Sequence, residues 1–187
     1  MASLPPLSHA RPHAGPAGVR LCLRANRWGA LRAVGTLFRW ISRLGDGAFW
    51  YGLMAALSLF GGPRGLRATA TMAVAGLLAL GLYRLLKNLT RRPRPFRSIV
   101  GIVAHLPPLD EFSFPSGHTL QAVSFSLVAC AWFPVLILPL LVFTLLVAAS
   151  RIVLGLHYPS DVLAAAGIGL LLGGAVLTAS AMLGFGP

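Results

Sequence analysis

Four apolar runs, 66–86, 117–133, 135–154 and 161–182, constrain this chain more than any other feature, because a helix needs roughly 17–25 such residues to cross a bilayer. Without water, each backbone N–H and C=O must be satisfied within the protein, which for unalternating runs means helix. A shorter run, 48–61, ends at Gly61-Gly62-Pro63. Alone it is marginal, but a tight turn there makes it the antiparallel partner of 66–86. The expectation is an all-α, integral-membrane helical bundle of about five spans.

Composition agrees. With 56% hydrophobic and 11% charged residues among 187, the chain is too apolar for a soluble domain. Its formal charge of +12 comes from sixteen Lys and Arg against four acidic residues, which on a soluble fold would point to nucleic acid. Here the cations flank apolar runs, so membrane lipids are the expected partners and nucleic acid is not. The only acidic residues are Asp46, Asp110, Glu111 and Asp161. A two-metal hydrolytic centre needs several carboxylate or histidine ligands, so the expectation is metal-free chemistry with no cofactor. Cys22 and Cys130 form no C-x-x-C and read as small apolar fillers.

Residues 1–19, rich in Pro, Ala, Gly and His, read as a disordered tail preceding a single domain over 20–187. Over 20–44, Leu21, Leu23, Trp28, Leu31, Val34, Leu37, Phe38, Ile41 and Leu44 recur at three- and four-residue steps among six arginines. That pattern predicts one N-terminal amphipathic interfacial helix, broken by Gly45-Asp46-Gly47. Residues 96–114 form the longest polar interval after the tail, of the kind that makes binding loops. Gly169-x-x-x-Gly173 offers a close helix contact.

Three polar clusters are pressed against these runs: Lys87 to Pro95, Pro115-Ser116-Gly117-His118, and Ser150 to Asp161. Ionisable groups at such places are costly and mark function. The first cluster ends span two, the second begins span three, and the third joins spans four and five. Crossing parity therefore puts all three at one end of the bundle. In order they read K-x(6)-R-P, P-S-G-H and S-R-x(5)-H-x(3)-D. This triplet, spanning Lys87 to Asp161, resembles the signature of the phosphatidic acid phosphatase type 2 superfamily. Members commonly resemble a six-helix bundle; here the first spanning helix is replaced by the amphipathic segment.

The resemblance assigns Lys87, Arg94 and Arg151 to phosphate binding. Fixed cations suit a metal-free site, because a phosphoryl group in flight spreads negative charge over its oxygens. Ser116 and Gly117 would put phosphate at a helix N-terminus, with Ser116 also a candidate cap. His157 is the expected nucleophile, with Asp161 holding its ring and His118 protonating the leaving oxygen. Arg91 and Arg92 read as interfacial anchors. Ser160 reads as the cap of the last helix.

The resulting expectation is a membrane lipid phosphatase acting on a polyprenyl diphosphate, undecaprenyl diphosphate first, or on phosphatidylglycerophosphate or phosphatidate. A lipid-to-lipid phosphotransferase, a haloperoxidase and a non-enzymatic scaffold are the alternatives. A bacterial inner membrane is the expected location. Seven of the Lys and Arg residues precede span one, six lie in 84–97, and Arg151 joins them; only Arg64 and Arg67 lie opposite. The excess favours a cytoplasmic motif face. Oligomeric state is not legible in the sequence.

Overall fold

The computed structural model describes residues 15–187. The tail expected over 1–19 lies outside it up to residue 14. Eight α-helices follow, with no strand among the described residues: α1 (Pro16–Gly29), α2 (Arg32–Arg43), α3 (Phe49–Phe60), α4 (Gly62–Thr90), α5 (Pro95–Ser98), α6 (Gly117–Trp132), α7 (Ile137–Val153) and α8 (Pro159–Met182). A kinked turn, Leu44–Ala48, joins α2 to α3, and a 3-10 turn, Pro134–Leu136, leads into α7. Among the described residues, three stretches are long and apolar enough to cross a membrane: Gly62–Ser98, Pro134–Val153 and Pro159–Met182. The protein is an integral-membrane helical bundle. Helices α3 and α6 are shorter, 12 and 16 residues, and pack within it.

Helix α6 is the centre, packed against α4, α7 and α8. Its hydroxyls are satisfied locally, as helix-buried Ser and Thr must be: Ser124 Oγ donates to Leu120 O at 2.8 Å, and Ser126 meets Thr144 of α7 at 2.8 Å. The two small residues expected to allow a close contact do so here. A Cβ on Gly169 would stand 2.9 Å from Leu120 O, and one on Gly173 3.3 Å from Ser124 O. The antiparallel α3–α4 pair is tied by Ser58 to Thr69 at 3.0 Å. Trp50, Met72, Phe125, Trp132 and Val147 fill the core, with Trp50 edge-on to Phe125 at 5.4 Å.

Two expectations for the N-terminal region need correction, and a third holds. Helix begins at Pro16, so residues 16–19 belong to α1 rather than to a tail. The single amphipathic helix 20–44 is two helices, broken at Leu31, whose backbone is extended (φ −69°, ψ 123°). The break lets Gly35 fold against Gly29, where a Cβ would come within 2.4 Å of Gly29 O. Gly45-Asp46-Gly47 does break the helix, as expected: Gly47, at φ 145° and ψ −35°, is non-helical and kinks the chain between α2 and α3, a conformation only glycine adopts freely.

Helix α1 docks on the motif end of the bundle. Asn26 is 5% exposed: its side chain accepts from Val103 N–H (2.9 Å) and donates to Val103 O (2.8 Å) and Val153 O (3.2 Å). His105 donates through Nε2 to Asn26 O at 3.1 Å. The polar interval after α5 is thereby pinned to the end of α7.

Candidate active site

The three clusters converge. A pocket of about 510 Å³ is lined by Lys87, Arg94, Gly117, His118, Arg151 and His157, together with Asp46 and Asp110. Its wall continues along Tyr51 and Met54 of α3 and Leu77 and Leu80 of α4. A larger groove of about 1080 Å³ between α4 and α8 is lined mostly by apolar side chains and by none of the motif residues. The cations and histidines of the three clusters line the smaller one.

Lys87 occupies the last turn of α4, which stops where Arg91 turns left-handed (φ 45°). Arg94 caps α5. Both are almost fully buried and share one carboxylate: Asp110 Oδ1 accepts from Lys87 Nζ at 2.5 Å and from Arg94 Nη2 at 2.8 Å. Burial alone would raise the Asp110 carboxyl, but the hydrogen bonds and charges of Lys87 and Arg94 outweigh it and hold it below the usual range. Arg94 also donates to Asp110 O and Leu156 O and approaches His157 Nε2 at 3.3 Å. Its planar fork thus bridges the polar interval and the turn between α7 and α8.

Arg151, in the last turn of α7, is 2% exposed. One of its Nη atoms donates to Ser42 Oγ of α2, while its Nε–H has no acceptor among the described residues. A buried donor left unpaired is costly and is available to an anion in the pocket.

His157 sits in the turn between α7 and α8, where Gly155 is left-handed (φ 76°). A Cβ there would meet Val103 O at 2.6 Å. The His157 Nδ1–H donates to the Ser113 carbonyl at 2.6 Å, which fixes the tautomer and leaves the lone pair on Nε2. Burial, then the charges of Arg94, Arg151 and Lys87, keep the imidazole well below the ordinary histidine range.

Here the expected ring-holder differs. Asp161 Oδ2 lies 3.7 Å from His157 Nδ1, beyond hydrogen-bond distance. Its oxygens are already engaged: Oδ2 accepts from Tyr158 N–H at 2.9 Å, and Oδ1 from Arg92 at 2.6 Å. Asp161 therefore caps α8 and organises the turn that carries His157, and the ring itself is held by Ser113 O. Ser160 is not the cap; its Oγ accepts from Arg92 at 3.0 Å. Arg92 is accordingly no interfacial anchor: it pairs with Asp161 and covers the Tyr158 ring at 4.4 Å.

Ser116 stands at the N-cap of α6 without capping through its side chain. Its Oγ meets Thr119 Oγ1 at 3.0 Å, and its N–H donates to Asp161 O at 3.3 Å, so it ties α6 to α8 behind the pocket. Gly117 lines the pocket beside Tyr83, where a Cβ would have 3.7 Å of room. His118, on the first turn of α6, is hydrogen-bonded through Nε2 to Asp46 Oδ1.

Sequence reasoning passed over Asp46, Asp110, Ser42, Arg92 and Ser113. The signal available for the two aspartates was their scarcity, since any acid beside an apolar run needs a partner. Among the described residues no group of three or more His, Cys, Asp or Glu side chains is placed to hold a metal ion.

The comparisons with known proteins fit this geometry. The model of the PAP2 superfamily matches residues 65–184. The chain is 32% identical, over 142 residues, to the decaprenylphosphoryl-5-phosphoribose phosphatase of Mycobacterium tuberculosis, covering 74% of this chain and 76% of that one. It is 31% identical to the undecaprenyl-diphosphatase BcrC of Bacillus subtilis, over 65% of this chain and 62% of the relative. Among solved structures, LpxE of Aquifex aeolicus superposes with a TM-score of 0.78 at 25% identity, covering 90% of this chain and 99% of its own. A transmembrane phosphatidylglycerolphosphate phosphatase of Bacillus subtilis gives a TM-score of 0.71 at 25% identity, covering 91% and 89%. The matched stretch contains all three clusters and every helix from α6 to α8, and the chain belongs to the PAP2 superfamily as a membrane lipid phosphatase.

Proposed function

We propose that this protein hydrolyses a polyprenyl phosphate or diphosphate, undecaprenyl diphosphate being the first candidate, through a phosphohistidine on His157. One observation carries the reading: the Nδ1–H of His157 is committed to Ser113 O, so the nucleophilic lone pair belongs to Nε2, beside Arg94. Lys87, Arg94 and Arg151 hold the phosphoryl oxygens, with the N-terminus of α6 at Gly117 adding backbone donors and Ser116 and Asp161 fixing the turns behind them. His118 gives a proton to the leaving oxygen and then takes one from water. The lipid tail follows Leu77 and Leu80 toward the bilayer. Two of the relatives act on polyprenyl-linked phosphates by name, which puts that class ahead of phosphatidylglycerophosphate and phosphatidate.

The test is phosphate release by purified protein across a panel of lipid phosphates in excess chelator. Polyprenyl substrates should be turned over fastest, and activity should persist without added metal, since the carboxylates in the pocket are already engaged by Lys87, Arg94 and His118. Vanadate, which adopts a trigonal-bipyramidal geometry, should inhibit. Activity lost in chelator and restored by Mg²⁺ would sink the metal-free reading.

The rate should be bell-shaped in pH, because His157 must be neutral while His118 is protonated. The sign follows from burial: a depressed pKa keeps the His157 ring neutral as pH falls, so the acid limb lies well below the unperturbed value near 6.5. An acid limb at the unperturbed value would contradict the assignment.

The motif end carries α1 and nearly all the cations, which favours the cytoplasmic side of a bacterial inner membrane. Glu111→Cys, at an exposed position, with Cys22 and Cys130 replaced by alanine, should resist a membrane-impermeant thiol reagent in intact cells and react after permeabilisation. Ready labelling of intact cells would put the site on the periplasmic side.

A further inference from the structure

The Gly-Asp-Gly kink between α2 and α3 lies outside the stretch that matches the family, residues 65–184, yet it reaches the pocket. Here it swings Asp46 toward α6, with a glycine on either side. Gly45 packs so near α7 that a Cβ would lie 3.2 Å from the Val147 side chain and 3.6 Å from His118. Gly47 supplies the left-handed backbone (φ 145°) that closes the turn. One helical turn earlier, Ser42 accepts from Arg151. The segment thus touches two of the motif residues, and Asp46 is an otherwise unexplained acid in a helical run facing an apolar core.

We propose that Asp46 is a positioning residue for the reaction: its carboxylate accepts the Nε2–H of His118 and stabilises the imidazolium that delivers the proton to the leaving oxygen. The inference rests on the assignment of His118 as the proton donor. The charged and titratable groups facing that ring are Arg151 from α7, Lys87 from α4 and His157 from the turn before α8. Arg151 and Lys87 disfavour a further positive charge there, and His157 is neutral. Asp46 is the one carboxylate hydrogen-bonded to the ring, because Asp110 is committed to Lys87 and Arg94.

The proton accounting is closed. In the first step the His157 Nε2 lone pair forms the P–N bond, the P–O bond to the leaving group breaks, and the leaving oxygen takes a proton from the His118 nitrogen that Asp46 does not hold. In the second step that nitrogen takes a proton from water as the water oxygen bonds to phosphorus, and the P–N pair returns to His157. Asp46 keeps its hydrogen bond throughout and gives up no proton.

Proton donation matters most when the leaving oxygen is strongly basic. Asp46→Asn should therefore lower kcat/KM for an alkyl phosphomonoester by about 10²-fold, while p-nitrophenyl phosphate, whose leaving group needs little protonation, changes by no more than about threefold. Because kcat/KM reports only the steps through phosphorylation of His157, the later use of His118 does not blur the comparison. Asp46→Glu, which keeps the carboxylate, should recover part of the alkyl activity, and it serves as the second variant should the asparagine protein fold poorly. Equal losses on both substrates, or a fall in KM with kcat unchanged, would overturn the proposal, the latter by showing that Asp46 merely occupies the anion site. His118→Ala tests the assignment beneath it. If that variant keeps full alkyl phosphatase activity, the role of His118 is wrong; if it is inactive while Asp46→Asn matches wild type, only the present inference fails.

Discussion

His157→Ala should lower phosphate release by on the order of 10²–10⁴ or more while the protein remains folded. The side chain is 2% exposed, but its loss removes one hydrogen bond to Ser113 O and one contact with Arg94, and the turn around it is held by other means. Asp161 still accepts from Tyr158 N–H and Arg92, and Arg94 still donates to Leu156 O. Helicity and melting temperature should therefore stay close to wild type while turnover collapses. Acid-quenched wild type given labelled substrate should carry acid-labile phosphate, and His157→Ala should carry none. Near-normal phosphate release from a well-folded preparation would end the phosphohistidine reading.

Arg94→Lys should cost on the order of 10²–10³ in kcat/KM although it keeps the charge. The guanidinium reaches Asp110 Oδ1, Asp110 O, Leu156 O and the His157 ring from one planar group. An ammonium on a flexible stem cannot address these directions together. It would leave the Leu156 carbonyl unpaired in a buried position and free the loop that carries Asp110. Lys87→Arg is the informative contrast, because Lys87 acts nearly as a point charge on Asp110 and on the Phe112 carbonyl, so its exchange should be milder in kcat/KM. Equal tolerance of both exchanges would show that charge alone matters at Arg94.

Much of the fold was legible because periodicity and length are local properties. The apolar runs at 66–86, 117–133, 135–154 and 161–182 mark α4, α6, α7 and α8 to within a few residues, and counting crossings brings the three clusters to one end. The clusters themselves stood out because Lys87, Arg94, Arg151 and His157 are expensive where they lie. What stayed hidden depends on distant partners. The break at Leu31 exists because Gly35 packs on Gly29, which no window of hydrophobicity registers. The Gly-Asp-Gly break was itself legible, but not that packing beside Val147 brings its Asp46 to His118. Asp161 read as the ring-holder because a carboxylate plays that part in a triad, whereas the atom hydrogen-bonded to the ring is a main-chain oxygen at Ser113, and carbonyls leave no trace in residue identity.

The clamp made by Asn26 bears on what counts as the smallest working piece of this protein. A truncation beginning near residue 62 would retain every motif and the whole family-matched stretch. It would also strip Val103 and the end of α7 of their Asn26 partners, remove the acceptor of Arg151 at Ser42, and delete Trp50 from the core. The catalytic signature is therefore not a portable cassette. Transplanting it into another membrane scaffold, or shortening the chain to it, carries the chemistry-bearing side chains without the brace that aims them, and a chimera of this enzyme should join upstream of α1.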